Sequence, residues 1–494
     1  MKRNAIGSLA AALLCSAAFA APPDDARLYS ILAGNGAQIG YASHVETFGP
    51  QGREIVDEQD VGLGDEGDPW PNAPWFTAAK SVHAMSRTQR TEDADGHTLS
   101  ILTSERTGPE WRGDWSRNEA RIANGHADVT RTTPADSRTV RVALPPGVRF
   151  DDGAALLQAW NPTVAPRLEF DAFDADAMAV EHVIIAATGP ASSDGTVPAL
   201  RERYEGAQLV AVSRLTVARD GRILRAGQPM FGGSLTVAET DRATALAPHD
   251  PYQVLPHAMA KSPYRIPPSA IAGHIRYVFS FRDGVVFALP QTGEQRAVAG
   301  SGHVTLDICV DCGPGLATDP ATLADALKAT PWMQSDAAAL KAIAEPIAQR
   351  DISDSRKMEL LAKTARAILG RLDFTGHYSA LETLSRRAGD CTEASVLLAA
   401  LGRAAGIPTR VANGLVYSRE AYHGVSNTFL PHSWTLAFVG GRWRSYDAAL
   451  DDFDSTHIAL AVGDGDRTSL VAANQLAGLL VWDSVAEIRA SPEP

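Results

Sequence analysis

From Leu28 to about Val237 the apolar residues come in short runs broken by turn residues. Runs at 31–41, 98–103, 127–132, 140–144, 180–187 and 209–217 read as strands. Asp220-Gly221 separates the last run from Arg222-Ile223-Leu224-Arg225, a hairpin signal. Helical periodicity is scarce, with one short helix predicted near 154–160. The pattern predicts an antiparallel β domain. A connection at 242–270 follows, carrying His249-Asp250-Pro251 and the Pro-rich 262–268. Strands at 275–281 and 285–289 flank Arg282-Asp283-Gly284, another hairpin signal, and a third strand at 304–310 carries Cys309.

Beyond residue 320 the spacing becomes helical, at 321–329, 336–349 and 355–369, punctuated by Pro331 and Gly370. A helix at 392–405 ends on Gly406-Ile407-Pro408, and strands follow at 409–417, 433–439 and 442–447. Helices then strands predict an α+β domain. The chain thus divides into a leader (1–20), an antiparallel β domain with its connecting segment (21–268), a short β segment with the Cys-x-x-Cys pair (269–312) and an α+β domain (313–494). The expected fold class is α+β, multidomain.

The leader changes the chemical setting. Met1-Lys2-Arg3 is basic, 6–14 is apolar, and Ala18-Phe19-Ala20 places small residues where signal peptidase reads. Cleavage after Ala20 is expected, giving an exported protein, with the periplasm as the expected compartment. No later stretch approaches the length of a membrane span. Composition is globular, 45% hydrophobic and 21% charged, which excludes a disordered chain or a collagen-like fibre. The formal charge is −13, with no basic stripe, which argues against nucleic acid and anionic membrane surfaces as partners.

Four cysteines are present: Cys15, Cys309, Cys312 and Cys391. Cys15 leaves with the leader. Cys309 and Cys312 are expected to bond to each other in an oxidising compartment. No second Cys pair completes a zinc site, and neither metal nor cofactor is expected. Gly62-Leu63-Gly64-Asp65-Glu66-Gly67 spells G-x-G-x-x-G, but it follows acidic residues and not an apolar strand, so a plain loop is expected. Asp464 and Asp466 lack the full calcium-loop spacing and read as a turn.

Cys391 remains. Gly389 breaks the chain, Asp390 is a good N-cap and Glu393 falls in the first turn, so Cys391 starts a helix where unpaired N–H groups favour a thiolate. Phe438-Val439-Gly440-Gly441-Arg442-Trp443 reads as a two-residue hairpin. Counting back pairs Val439 with Arg442, Leu436 with Ser445 and Trp434 with Asp447. His432 then shares a face with Asp447, as a diagonal cross-strand neighbour. A carboxylate could orient the imidazole, and the imidazole could serve the thiol.

Arg387-Ala388-Gly389-Asp390-Cys391-Thr392-Glu393, Ala405-Gly406-Ile407-Pro408, His432-Ser433-Trp434 and Gly441-Arg442-Trp443 to Tyr446-Asp447-Ala448 resemble the transglutaminase-like superfamily. The resemblance implies a papain-like core with Cys391 as nucleophile, His432 as base and Asp447 as orienting acid. It also implies an upstream side chain that holds the oxyanion; Tyr378 is the candidate and Trp332 a second. The implied activity is a Cys-dependent reaction at amide bonds of a protein or peptide, by hydrolysis or acyl transfer. The alternative is an envelope binding or assembly module in which the β domain is functional and the thiol domain accessory.

Overall fold

The computed structural model describes residues 21–64, 82–108, 114–151, 153–253, 259–262, 264–371, 376–419, 426–450 and 452–489. The leader, Cys15 and the Asp65-Glu66-Gly67 end of the glycine motif lie outside them.

Residues 27–240 form one antiparallel sheet in two meanders. The first comprises β1 (Arg27–Ala33), β2 (Gln38–Gly49), β3 (Gly52–Gly64), β4 (Val82–Glu92), β5 (Thr98–Gly108), β6 (Asp114–Ala123), β7 (His126–Thr132) and β8 (Ser137–Ala143). After α1 (Ala154–Ala159) the second comprises β9 (Arg167–Asp174), β10 (Ala179–Ala187), β11 (Val197–Glu205), β12 (Gln208–Val217), β13 (Ile223–Met230) and β14 (Gly233–Thr240). β14 pairs with β1, so β8 and β9 lie at opposite ends of the strand order. The sheet curls until those ends meet. Arg149 bridges to Ala172, and Phe173 and Ala175 share a buried cluster with Ile101, Ala120 and Val129.

The Gly62–Gly64 part of the glycine motif is the end of β3 and not a loop. Its acidic approach, Asp57 to Asp60, is strand as well. Polar partners across the ladder hold it: Arg87 to Glu58 at 3.0 Å, the His83 ring to Asp60 at 2.9 Å and Arg53 to Glu92 at 2.6 Å. Each such partly exposed pair contributes about 0.2–1 kcal/mol.

The connection holds α2 (Arg242–Ala245), β15 (Tyr252–Gln253), β16 (Ala260–Lys261) and α3 (Pro268–Ile271). β17 (Ile275–Phe281), β18 (Gln295–Ala299) and β19 (His303–Ile308) form a second sheet, in which β17 lies between β19 and the late strand β24 (Leu480–Glu487). The expected strand at 285–289 is absent, and Arg282–Gly284 is a 3-10 turn with Asp283 at φ 61°. Val285, Phe287 and Leu289 are buried in alternation as a strand's would be. However, β19 and β24 already occupy both edges of β17, so the run cannot pair with β17 as the expected hairpin. Cys309 and Cys312, just after β19, are disulfide-bonded.

The α+β domain contains α4 (Pro320–Asp325), α5 (Ala338–Ala348), α6 (Asp354–Ile368), α7 (Ala380–Arg386) and α8 (Cys391–Ala404), then β20 (Thr409–Ser418), β21 (Thr428–Val439), β22 (Arg442–Tyr446), β23 (Ile458–Gly463) and α9 (Arg467–Leu479). α8 is buried from Thr392 to Arg403, enclosed by Leu340 and Ala344 of α5, Met358 and Leu361 of α6, and β21. Its small residues permit that. A Cβ on Gly402 would come within 2.7 Å of the Thr409 methyl. α9 docks on the N-terminal sheet, where Gln475 Oε1 accepts the Val212 N–H at 2.9 Å. Asp466 caps α9 through the Ser469 N–H, and Asp464 accepts from Arg403 and Arg410, so both acids are structural in this turn. Among the described residues no helix is long and apolar enough to cross a membrane.

Candidate active site

Three elements build the site around Cys391 and Asp447. The first is the start of α8. Asp390 accepts the Thr392 N–H at 2.7 Å, and Glu393 reaches back to the Asp390 N–H at 2.9 Å, a reciprocal capping box. Glu393 also accepts the Tyr378 N–H at 3.1 Å, tying the preceding loop to this turn. Burial, then the facing carboxyl of Asp390, push Glu393 well above the usual carboxylate range, and burial raises Asp390 too. Two buried carboxyls at one helix start therefore share protons in place of both ionising.

The second element is β21, which lies along α8, with the Thr435 hydroxyl donating to the Ser395 carbonyl at 2.9 Å. Its register with β22 is Val439 to Arg442, Leu436 to Ser445 and Thr435 to Tyr446, as counted from the hairpin. Gly440 (φ 59°) and Gly441 (φ 80°) make the turn, and both positive angles are those a two-residue I′ loop requires. His432 and Asp447 meet on one face, with Nε2 donating to Oδ2 at 2.6 Å. Both are buried. The other carboxylate oxygen, Oδ1, accepts the Ala449 N–H at 2.7 Å and the Leu450 N–H at 2.9 Å. The Ser433 backbone N–H, next to His432, donates to the Cys391 sulfur.

The third element enters at β23. His457 donates from Nε2 to the same Asp447 Oδ2, at 3.1 Å. Sequence reasoning missed this residue. It stands ten residues from Asp447, on no hairpin that parity could reach. β20 brings it in: Gly414 faces His432 on one side and Ala459 on the other. A Cβ on Gly414 would lie 1.8 Å from the Ile458 carbonyl oxygen, so only glycine lets β23 approach this closely.

The charges follow. Burial works to raise Asp447, but His432 first and His457 second hold it well below the usual carboxylate range. Burial pushes the Cys391 thiol well up, and Asp390, Asp447 and Glu393 add to this, while the Ser433 N–H opposes it. The helix start alone therefore does not yield a free thiolate, contrary to the simple expectation. Ionisation of Cys391 needs its proton to be taken up nearby, and His432, the chain neighbour of Ser433, is the candidate base.

The two oxyanion candidates both make packing contacts. The Tyr378 ring lies under the Arg386 guanidinium at 4.0 Å, with its hydroxyl end over Gly376. Trp332 is sandwiched between Arg131, at 4.1 Å, and His377, at 4.5 Å. Both line a cleft of about 310 Å³ between the curled sheet and the α+β domain. Tyr378 reaches the cysteine's helix through Glu393. His432, Asp447 and His457 offer nitrogen and oxygen atoms within 4.8 Å of one another. Two hydrogen bonds to one shared oxygen account for that closeness.

A cysteine at the half-buried start of a helix, packed on a sheet that presents a His–Asp pair, is the arrangement of papain-like thiol enzymes. Residues 341–448 match the transglutaminase-like superfamily, so the chain carries a transglutaminase-like domain. That segment contains Cys391, His432 and Asp447, and ends before His457. No curated protein matches the chain. A proposed cysteine protease from Cytophaga hutchinsonii is 18% identical, over 45% of this chain and 89% of its own, with a TM-score of 0.28. A β-barrel-like protein of a domain of unknown function from Brucella abortus is 13% identical, over 44% of this chain and 95% of its own, with a TM-score of 0.32. A proposed protease from Parabacteroides distasonis is 13% identical over 72% of this chain and 65% of its own, with a TM-score of 0.19.

Proposed function

We propose that the protein is an exported, periplasmic thiol enzyme that cleaves amide bonds of a protein or peptide through a Cys391 thioester. The observation that carries this reading is the line from Asp447 to His432 (2.6 Å) to the chain segment whose Ser433 N–H holds the Cys391 sulfur. His432 spends Nε2 on Asp447, which leaves Nδ1 as the nitrogen for the thiol proton. The Cys391 proton passes to His432 as sulfur bonds to the carbonyl carbon and the carbonyl π pair moves to oxygen. That pair then returns, the C–N bond breaks, and His432 delivers the proton to the leaving amine. Water, activated by His432, attacks the thioester and restores the thiol. An amine in place of water would make the reaction a transfer; the abundance of water favours hydrolysis. Cys391 opens α8; the Asp390 cap takes the Thr392 and Glu393 N–H groups, which leaves the Cys391 N–H as the proposed backbone donor to the oxyanion, with the Tyr378 hydroxyl as the proposed side-chain donor.

Iodoacetamide near neutral pH tests the reading. Mass spectrometry should find Cys391 alkylated many times faster than free cysteine. A rate equal to free cysteine would overturn the thiol-enzyme reading and favour a binding or assembly role for the β domain.

A further inference from the structure

His457 has no place in a three-residue site, yet it is more deeply enclosed than most of the chain. Its side chain is 1% exposed. Nε2 faces Asp447 Oδ2 at 3.1 Å, and Nδ1 faces Asp454 Oδ1 at 3.2 Å and the Asp454 carbonyl at 3.1 Å. Asp454 is itself held, accepting the Thr456 N–H at 2.8 Å and the Thr456 hydroxyl at 2.6 Å. The ring packs against Phe453 at 4.8 Å, Trp434 at 5.2 Å and His432 at 5.4 Å. The Asp454 N–H also lies 3.2 Å from Nδ1, a contact that suits a neutral ring, whereas donating to both carboxylates at once takes a proton on each nitrogen and makes the ring a cation. The ionisable groups around it are Asp454 on its own segment, Asp447 after β22 and His432 on β21. Cys391, Asp390 and Glu393 lie one layer further, on α8.

We propose that His457 is a positioning residue for the Cys391–His432–Asp447 site: an imidazolium clamped between Asp447 and Asp454 that fixes the Asp447 carboxylate and sets the proton affinity of the Cys391–His432 pair. This rests on the thiol-enzyme reading and deepens it. Without a second cation, Asp447 would face His432 alone and bind its proton more tightly. A tightly held proton is a poor one to deliver to a leaving amine. With His457 charged, the negative charge of Asp447 is shared between two imidazoles, and a thiolate forms at lower pH in a pocket that already holds several carboxyls. His457 touches neither sulfur nor the reacting carbonyl. Its direction of titration agrees with this: burial opposes its charged form, but Asp447 and Asp454 raise it to about 9.

The test needs no substrate. Alkylation of Cys391 by iodoacetamide, followed by peptide mass spectrometry from pH 5 to 10, reports the midpoint at which the pair becomes reactive. His457→Gln keeps a donor toward Asp447 but removes the charge. Taking away a cation makes every proton loss nearby harder, so the midpoint should rise by about one to two pH units. Asp454→Asn removes an anion and leaves the ring, so with His457 still charged the midpoint should move the other way, downward, and by less. Thermal melts of each variant separate this shift from unfolding, and NMR of ¹⁵N-histidine in the wild-type protein reads the charge on His457 even if both variants fail to fold. A folded His457→Gln protein with an unmoved midpoint, or a neutral His457 at pH 7, overturns the positioning role alone. A wild-type Cys391 that titrates and reacts like free cysteine overturns the thiol-enzyme reading, and this role with it.

Discussion

His432 and Asp447 lie fifteen residues apart in sequence and 2.6 Å apart in space, and the Gly440-Gly441 turn is the reason. A two-residue I′ loop fixes the pairing, the pairing fixes which face each side chain takes, and strand parity does the rest. Inserting one residue between Gly440 and Gly441 should therefore separate imidazole from carboxylate while leaving both strands formed. Cys391 alkylation should fall to the rate of free cysteine, with little change in far-UV circular dichroism. Retained fast alkylation would show that the pair does not depend on this turn.

Cys391→Ala should abolish any amidase, peptidase or acyl-transfer activity while leaving the thermal midpoint almost unchanged. The cap on α8 comes from Asp390 and Glu393, not from the cysteine. Residual activity would place the chemistry on another residue.

Tyr378→Phe isolates the hydroxyl. If that group stabilises the oxyanion, kcat should drop about 10²- to 10³-fold with KM little changed. An unaltered kcat assigns Tyr378 to packing under Arg386, and leaves the oxyanion to the Cys391 N–H that opens α8.

The charge on His457 also predicts how stability responds to pH. Its folded value is raised to about 9, above the roughly 6.5 of an unfolded histidine. Its contribution is then complete below about pH 6.5 and disappears as pH rises through 9. Denaturation of wild type and His457→Gln across that window should show the stability gap narrowing toward alkaline pH. A gap that stays constant from pH 6 to 10 would mean that His457 folds uncharged. At the acid end Asp447, whose folded value is depressed, loses its contribution as pH falls below the ordinary carboxylate range.

The disulfide closes a very short loop, since its cysteines are three residues apart. Chain-entropy arguments assign such a loop about 2 kcal/mol at most. Cys309→Ser/Cys312→Ser should lower stability by no more than that and leave Cys391 alkylation untouched. Loss of alkylation in this variant would mean that the turn supports β22 through Asp311, which pairs with Arg442 at 2.5 Å.

Some of this was legible in the sequence because it is local. The capping of α8, the glycine turn and the parity of the hairpin each depend on fewer than twenty residues. The Ala- and Leu-rich helices announced themselves by spacing. His457 was not legible, because it arrives through the pairing of β23 with β20, which depends on a close approach at Gly414 that no local pattern signals. β3 was hidden for a different reason: its Asp57 to Asp60 stretch is stabilised by partners on the next strand, so its own hydrophobicity is low. The 285–289 run misled in the opposite direction. It buries alternate side chains without a strand beside it, and alternation by itself cannot tell core packing from a ladder.

The sheet that holds the disulfide segment has a history in time as well as a shape. β17 is made a little past the middle of the chain, and one of its two neighbours, β24, only some two hundred residues later, with Ile275 facing Glu487. Until β24 arrives, the strand bearing Tyr277 and Phe279 has a bare edge, open to pairing with any other chain. A chain that emerges from its N-terminus must therefore carry this half-finished sheet through the whole making of α8 and β21. Among the described residues, completion of this sheet falls to the last strand, and until it pairs the β17 edge stays open to other chains.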